Sequence, residues 1–347
     1  QKCCLFRYIY CLPNMSFTKQ NQTNSTAELQ RQGLLGVVFF SIVTTLPCCV
    51  FLLINVTMLY TLRSKAMFKE TSRYFLLFNL LLADTMQLAH SQSMFLLSSC
   101  RVTMLYPVCA ALTAFSNLTH GASIITLVIM CLERYVAVCN PLRHSAIITI
   151  RNTGVAICVI WTFSSLNAMV QLSMMLHFSF PDLQLTQMTD YCGKDSVFVD
   201  PVSELYDKVS TYFLFALGGV TVIFSYTGII VAARSASTNK ASANKARRTL
   251  LLHLLQMGLT MSSTIHNSLL IVVSRNLDRV QAVQMQVLLY IFLIVFPKCL
   301  SSLIYGLRDL TIRSVLIFNL SCQCKRPSLI ADIPAKEKIR VLPTSFM

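Results

Sequence analysis

The chain has 347 residues, of which 54% are hydrophobic and only 12% charged, and its mean hydropathy is +0.61. An ordinary soluble domain does not combine so little charge with so much apolar surface, so lipid is the expected solvent. The net charge of +15 does not point to nucleic acid, because a nucleic-acid-binding protein carries its basic residues on a soluble domain.

Residues 1–14, with Cys3, Cys4 and Cys11, differ from the Asn/Thr-rich stretch that follows, which makes Met15 a candidate start. No secretory signal peptide is evident, so the first apolar span is expected to act as a signal anchor. Runs long enough, at about 20 residues, to cross the hydrocarbon core lie at 34–60, 74–99, 104–139, 153–176, 209–233, 249–273 and 283–306. They are continuous rather than alternating, and an open sheet could not satisfy its backbone in lipid, so helices are expected. The expected fold is an all-α membrane protein: a seven-transmembrane helix bundle over 34–318 between an extracellular segment, 1–33, and a cytoplasmic tail, 319–347. Within the bundle, 306–318 alternates apolar and charged residues at helical spacing, as a short amphipathic C-terminal helix at the interface would, and Cys322 and Cys324 beyond it are candidates for palmitoylation.

Lys and Arg near span ends are retained in the cytoplasm, which sets the orientation. The loops after the first, third and fifth spans hold eleven: Arg63, Lys65, Lys69, Arg73, Arg143, Arg151, Arg234, Lys240, Lys245, Arg247 and Arg248. The opposite loops hold five: Arg101, Lys194, Lys208, Arg275 and Arg279. The amino terminus is therefore expected outside and the tail inside, with a basic inner collar facing anionic lipid. The outer loop over 177–208 is locally acidic, with Asp182, Asp190, Asp195, Asp200, Glu204 and Asp207 against two lysines.

The 14 cysteines do not form a disulfide framework. Cys48, Cys49, Cys131, Cys139, Cys158 and Cys299 lie in apolar runs, where a thiol behaves as a small hydrophobe. Cys109, at the outer start of the third span, and Cys192, in the long outer loop, share the oxidising side and are expected to pair. Asn21 and Asn24 stand in outer N-x-Ser/Thr sequons and are expected glycosylation sites, whereas the sequons at Asn55, Asn117 and Asn319 fall in lipid or inside.

Two charged features carry the functional reading. Asp84, in NLLLAD, is a carboxylate in mid-span, where insertion costs about 2.5–3.5 kcal/mol, so a partner is required. Met130 to His144, MCLERYVAVCNPLRH, puts Glu133, Arg134 and Tyr135 at the end of a long apolar run. An isolated arginine there reads as a positive-inside residue. The run as a whole, with Lys245-Ala246-Arg247-Arg248, His253 and the Leu303 to Asp309 segment, resembles rhodopsin-like (class A) G-protein-coupled receptors, and most of all odorant receptors. Glu-Arg-Tyr in place of Asp-Arg-Tyr, the Cys299–Lys298 pair and a missing Asn-Pro in the seventh span look like the fish-type branch.

The resemblance implies a switch in which Glu133 holds Arg134 at rest and releases it toward a G protein. Arginine suits this because it stays charged and offers a planar donor fork. Pro141 would end the helix and shape the second inner loop. Tyr135, Tyr226, His253 and Tyr305 match other family positions at the inner face. An acid at the place of Asp84 often joins a sodium and water site; Ser123 matches one member, while Ser301 stands near where the family has Asn-Pro. Lys298 lies one turn earlier, and its ammonium is expected to take the ion's space and pair with Asp84, the alternative being carbonyls or water. Trp161 matches a family tryptophan and reads as packing.

Ligand-binding candidates are Gln87, His90, Ser116, Asn117, His120, Gly121, Met261, Thr264 and Ser268, all in the outer half of the bundle. Taken alone, each suits a helix–helix hydrogen bond better than a ligand contact. Ser116 occupies the place where amine receptors carry a salt-bridging Asp, which favours a neutral or weakly polar ligand. The implied protein is a plasma-membrane receptor for a small-molecule odorant, coupled by family habit to a cyclic-AMP-raising heterotrimeric G protein. No catalytic residue, metal or cofactor is expected. The alternatives are an orphan class A receptor for a non-odorant molecule, a retinal photoreceptor using Lys298, for which that lysine sits about a turn too far inward, and a transporter, for which repeats and broken helices are not evident.

Overall fold

The computed structural model describes residues 22–179 apart from 65 and 101, residues 192, 197, 198 and 200–235, scattered positions between 251 and 272, residues 279–308, and 312 and 313. The described elements are helical: α1 (Gln22–Ser64), α2 (Ala66–Lys69), α3 (Ser72–Ser99), α4 (Tyr106–Cys139), α5 (Pro141–Ile147), α6 (Ile150–Ser179), α7 (Pro201–Ser235), α8 (Arg279–Tyr290), a π-helical turn (Ile291–Val295) and α9 (Phe296–Arg308).

Five of the expected spans coincide with α1, α3, α4, α6 and α7, and the last with α8, the π turn and α9 taken together. The span expected at 249–273 and the amphipathic helix expected at 306–318 lie largely outside the described residues. By length and composition, Val38–Ser64, Tyr106–Cys139, Ile150–His177 and Pro201–Ala232 could each cross a membrane. α3 is missing from that set because Asn79, Asp84, Gln87 and Gln92 interrupt its apolar run; all four are buried inside the bundle. α1 begins at Gln22, well before its apolar part, since the Ala27 to Gln32 stretch consists of good helix formers.

Chain punctuation explains the breaks. α4 ends at Cys139, Asn140 leaves the helical region, and Pro141 opens α5 as its first residue, where a missing N–H costs nothing. The inner-loop bend expected from Pro141 is thus a seven-residue helix. α7 starts in the same way at Pro201, and the Asp200 carboxylate accepts the N–H groups of Val202 at 2.8 Å and Ser203 at 3.1 Å.

Polarity runs inside out. Phe39, Leu46, Val220 and Ile223 are 62–67% exposed, whereas Asp84 and Lys298 are 1% and 2% exposed. Water would penalise both halves of that arrangement, and lipid favours it. α4 lies at the centre, packing on α3, α6 and α7. Its Ile124, Leu127, Met130 and Cys131 meet Leu76, Leu77, Leu80 and Leu81 of α3, Met58 and Leu62 of α1, and Val222 and Ile229 of α7.

Candidate functional site

Halfway along the bundle, Asp84 meets two donors. Ser123 donates to its Oδ1 at 2.7 Å, and the Lys298 ammonium lies 3.3 Å from the same oxygen. The pairing expected for Lys298 is therefore the geometry observed. Just before it, the π turn widens the helix, Phe296 N–H reaching back to Ile291, and Pro297 follows. Such turns relieve helical register where a side chain has to be aimed. Asn55 of α1 donates to the Lys298 carbonyl at 3.3 Å and accepts from Ser302, so α1, α3, α4 and α9 meet in one buried network. Asn55 is fully buried there, in keeping with its discounted sequon. With an ammonium on the Asp84 carboxylate, the residues present do not fit a sodium ion beside it. The side chain of Ser301 lies outside the described residues.

One helical layer away, Asn79 donates to Thr126 at 2.8 Å and accepts from the Trp161 indole at 2.7 Å. Trp161 is more than packing, since it pins α6 to α3.

At the α4 C-terminus, Arg134 Nε lies 2.9 Å from Glu133 Oε2. The other oxygen, Oε1, faces His144 Nε2 of α5 at 3.6 Å. Glu133 is 7% exposed and Arg134 18%. Tyr135 turns to α7: its ring sits 5.2 Å from that of Phe224, and a Cβ built on Gly228 would come 2.3 Å from its Cε2. Gly228 is therefore the seat of Tyr135. Tyr226 packs against the main core cluster. His253 and the side chain of Tyr305 lie outside the described residues. Leu142, on α5, is 95% exposed beside this end.

At the opposite end, Cys109 and Cys192 form a disulfide with Cα atoms 5.6 Å apart, inside the usual range. The Tyr106 hydroxyl lies 2.9 Å from the Val197 carbonyl and 3.2 Å from that of Met175, holding the loop over α4 and α6.

The ligand candidates divide. Gln87 donates to Ser116 at 3.0 Å and accepts from Thr119, so Gln87 and Ser116 already join α3 to α4. Asn117 donates to Gln171 at 2.8 Å and to Asp207 at 3.1 Å, linking α4 to α6 and α7. Gly121 faces Ser164 of α6, whose hydroxyl lies 3.4 Å from the place of a Cβ, an ordinary contact distance. His90 lies against Phe115, ring centroids 5.6 Å apart, and His120 is half-buried on α4. Met261, Thr264 and Ser268 lie outside the described residues, as does Asn21 and the side chain of Asn24. Sequence reasoning did not single out Gln171, Asp207, Asn79, His144 or Gly228 for these roles. A polar residue at an interior helical position is the only signal for the first three.

A model of the 7 transmembrane receptor (rhodopsin family) matches residues 54–305. The chain belongs to that family. Relatives agree: odorant receptor 131-2 of Danio rerio is 30% identical over 275 residues, covering 79% of this chain and 83% of that one. Olfactory receptor 4K15 of Homo sapiens is 26% identical (76% and 80% covered), and olfactory receptor 4K5 of Homo sapiens 27% (81% and 84%). The resemblance read from the helix-ending Glu-Arg-Tyr run is thus the family found, and the zebrafish relative accords with its fish-type features. In this rhodopsin-family receptor, the Glu133–Arg134 ion pair lies near the end of the central helix. The Lys298 ammonium lies 3.3 Å from Asp84.

Proposed function

We propose that this receptor is an odorant receptor. It binds a small-molecule odorant in the outer half of the bundle and activates a heterotrimeric G protein, of the cyclic-AMP-raising olfactory type, at the cytoplasmic face. It crosses the plasma membrane seven times, with the amino terminus and the Cys109–Cys192 bridge outside and Arg134 inside. The skew of Lys and Arg toward the loops at the Arg134 end supports that orientation.

The observation that carries the reading is the 2.9 Å Glu133–Arg134 contact at the end of α4, in a chain of this family. Freed, the Arg134 guanidinium would face an opened cavity and offer its donor fork to a partner. An agonist drives this only by preferring the open arrangement, since equal affinity for both shifts nothing. The candidates for the ligand site are Gln87, His90, Ser116, Asn117, His120, Gly121, Met261, Thr264 and Ser268. Because Gln87, Ser116 and Asn117 are engaged between helices, a polar ligand there competes with those bonds or uses the donor and acceptor sites they leave over.

The test is a cyclic-AMP reporter in cells expressing the full chain, screened against chemically diverse waterborne compounds. An active compound should lose its effect on Arg134→Ala at matched surface expression. Signalling that survives this change would overturn the switch reading.

A further inference from the structure

An ion that binds one state of a protein and then leaves makes that state sensitive to the ion's concentration, by mass action. A cation fixed to the chain cannot do this. The acid at the place of Asp84 is where the family resemblance implies a sodium ion, and the residues around it do not fit one. We propose that Lys298 is a tethered cation that takes the ion's part, so that the resting state of this receptor is independent of sodium. The inference concerns the middle of the bundle and stands whether or not the ligand is an odorant.

Charge is the first argument. Lys298 Nζ lies 3.3 Å from Asp84 Oδ1, with the two side chains 2% and 1% exposed. The carboxylate is therefore already neutralised, and a sodium ion added beside it would leave a net positive charge in a dry interior. At about 4 Å from the ammonium and an effective dielectric constant of about 20, that repulsion alone lowers affinity about a thousandfold relative to a bare carboxylate.

Oxygens are the second. A hard cation needs a shell of several of them. Here the Ser123 hydroxyl turns its hydrogen to Asp84 at 2.7 Å, the Asn55 side-chain oxygen accepts from Ser302, and the Lys298 carbonyl accepts from Asn55 at 3.3 Å. The polar groups that α1, α3, α4 and α9 bring together are engaged with one another and with the ammonium.

Aim is the third. A mid-span lysine on a lipid-facing register would stretch its stem toward the headgroups. Lys298 instead follows the π-helical turn Ile291–Val295 and Pro297, and its stem runs inward to end on α3. An exchangeable ion shifts the balance of two arrangements by as much as it prefers one of them. With occupancy fixed by a covalent stem, that lever is gone, and the pair opens only when the helices move.

The experiment reads the melting temperature of the detergent-purified full chain as sodium chloride replaces choline chloride at constant ionic strength. The parent is expected to be flat, and its ligand-independent cyclic AMP signal in membranes should be the same in the two salts. Lys298→Ser removes the ammonium and adds a hydroxyl oxygen. It should melt below the parent in choline and regain stability in sodium with a saturable response, about tenfold in the folding equilibrium at about ten times the sodium dissociation constant. Asp84→Asn/Lys298→Ser should be flat again, because the carboxylate that would hold the ion is gone. A saturable rise of the parent with sodium overturns the inference, and so does a Lys298→Ser variant that answers sodium no more than choline. Should Lys298→Ser not survive purification, Lys298→Gln, which offers an amide oxygen, is read against the same outcomes, and the response of the parent remains decisive. Either failure leaves the odorant reading standing, since the reporter screen tests that separately.

Discussion

Among the described residues, two buried carboxylates, Asp84 and Glu133, face cationic partners, and their surroundings differ. Asp84 and Lys298 are 214 residues apart in the chain, 1–2% exposed, and embedded with Ser123, Asn55 and Ser302 in contacts from four helices. Glu133 and Arg134 are chain neighbours at a helix end, with Arg134 18% exposed and the second Glu133 oxygen held only loosely at 3.6 Å. Separating the first pair strands a charge in a dry interior; separating the second lets a guanidinium reach solvent or a partner. On the proposed reading, depth and the number of helices recruited are what would separate an ion pair that fixes the bundle from one that switches it.

The largest expected effect tests the deep pair. Lys298→Met leaves Asp84 buried without its cation and should cost about 3–5 kcal/mol, seen as loss of surface expression and of thermal stability in detergent. Adding Asp84→Asn should recover most of the loss, because replacing both partners is far cheaper than orphaning one. If Lys298→Met folds and reaches the surface as well as the parent, the pair is not what fixes the centre, and the contrast with Glu133 disappears.

A smaller effect sharpens the other side. Gly228→Ala places a methyl 2.3 Å from the Tyr135 ring edge, so the ring must leave its seat against Phe224. The strain falls on a movable side chain and is worth about 0.5–1.5 kcal/mol. Ligand-independent signalling should rise roughly two- to ten-fold, with surface expression close to the parent level. A fall in expression as large as that of Lys298→Met would mean that the Arg134 end is as rigid as the centre.

How much of this could be read beforehand follows the physics of each interaction. Spans rich in lipid-facing side chains, such as α1, α6 and α7, announce themselves by composition. α3 does so less, because its polar residues point inward. Asp84 and Lys298 could be matched in advance because a mid-membrane charge has few possible partners. Cys109 and Cys192 were matched because they share a redox compartment. The bonds of Asn117 to Gln171 and Asp207, and of Asn79 to Trp161 and Thr126, were not readable. Neutral polar residues are common on every helix, and lipid does not fix how the helices rotate against one another. The place of Gly228 under Tyr135 depends on a clearance of tenths of an ångström, which only coordinates supply.

The smallest expected effect asks whether charge, rather than burial, makes the centre rigid. Trp161 donates to Asn79 at 2.7 Å across α6 and α3, one layer from Asp84 and without any net charge. Trp161→Phe keeps an aromatic ring but removes the donor, leaving one acceptor lone pair on an amide that still reaches Thr126. The expected cost is about 1 kcal/mol, the net worth of a neutral hydrogen bond, plus some packing loss. In detergent-purified receptor this would be a small drop in melting temperature, well short of that from Lys298→Met. Equal losses from the two changes would show that a neutral bond at this depth holds the helices as firmly as the ion pair, and depth alone would then account for the difference between the two carboxylates.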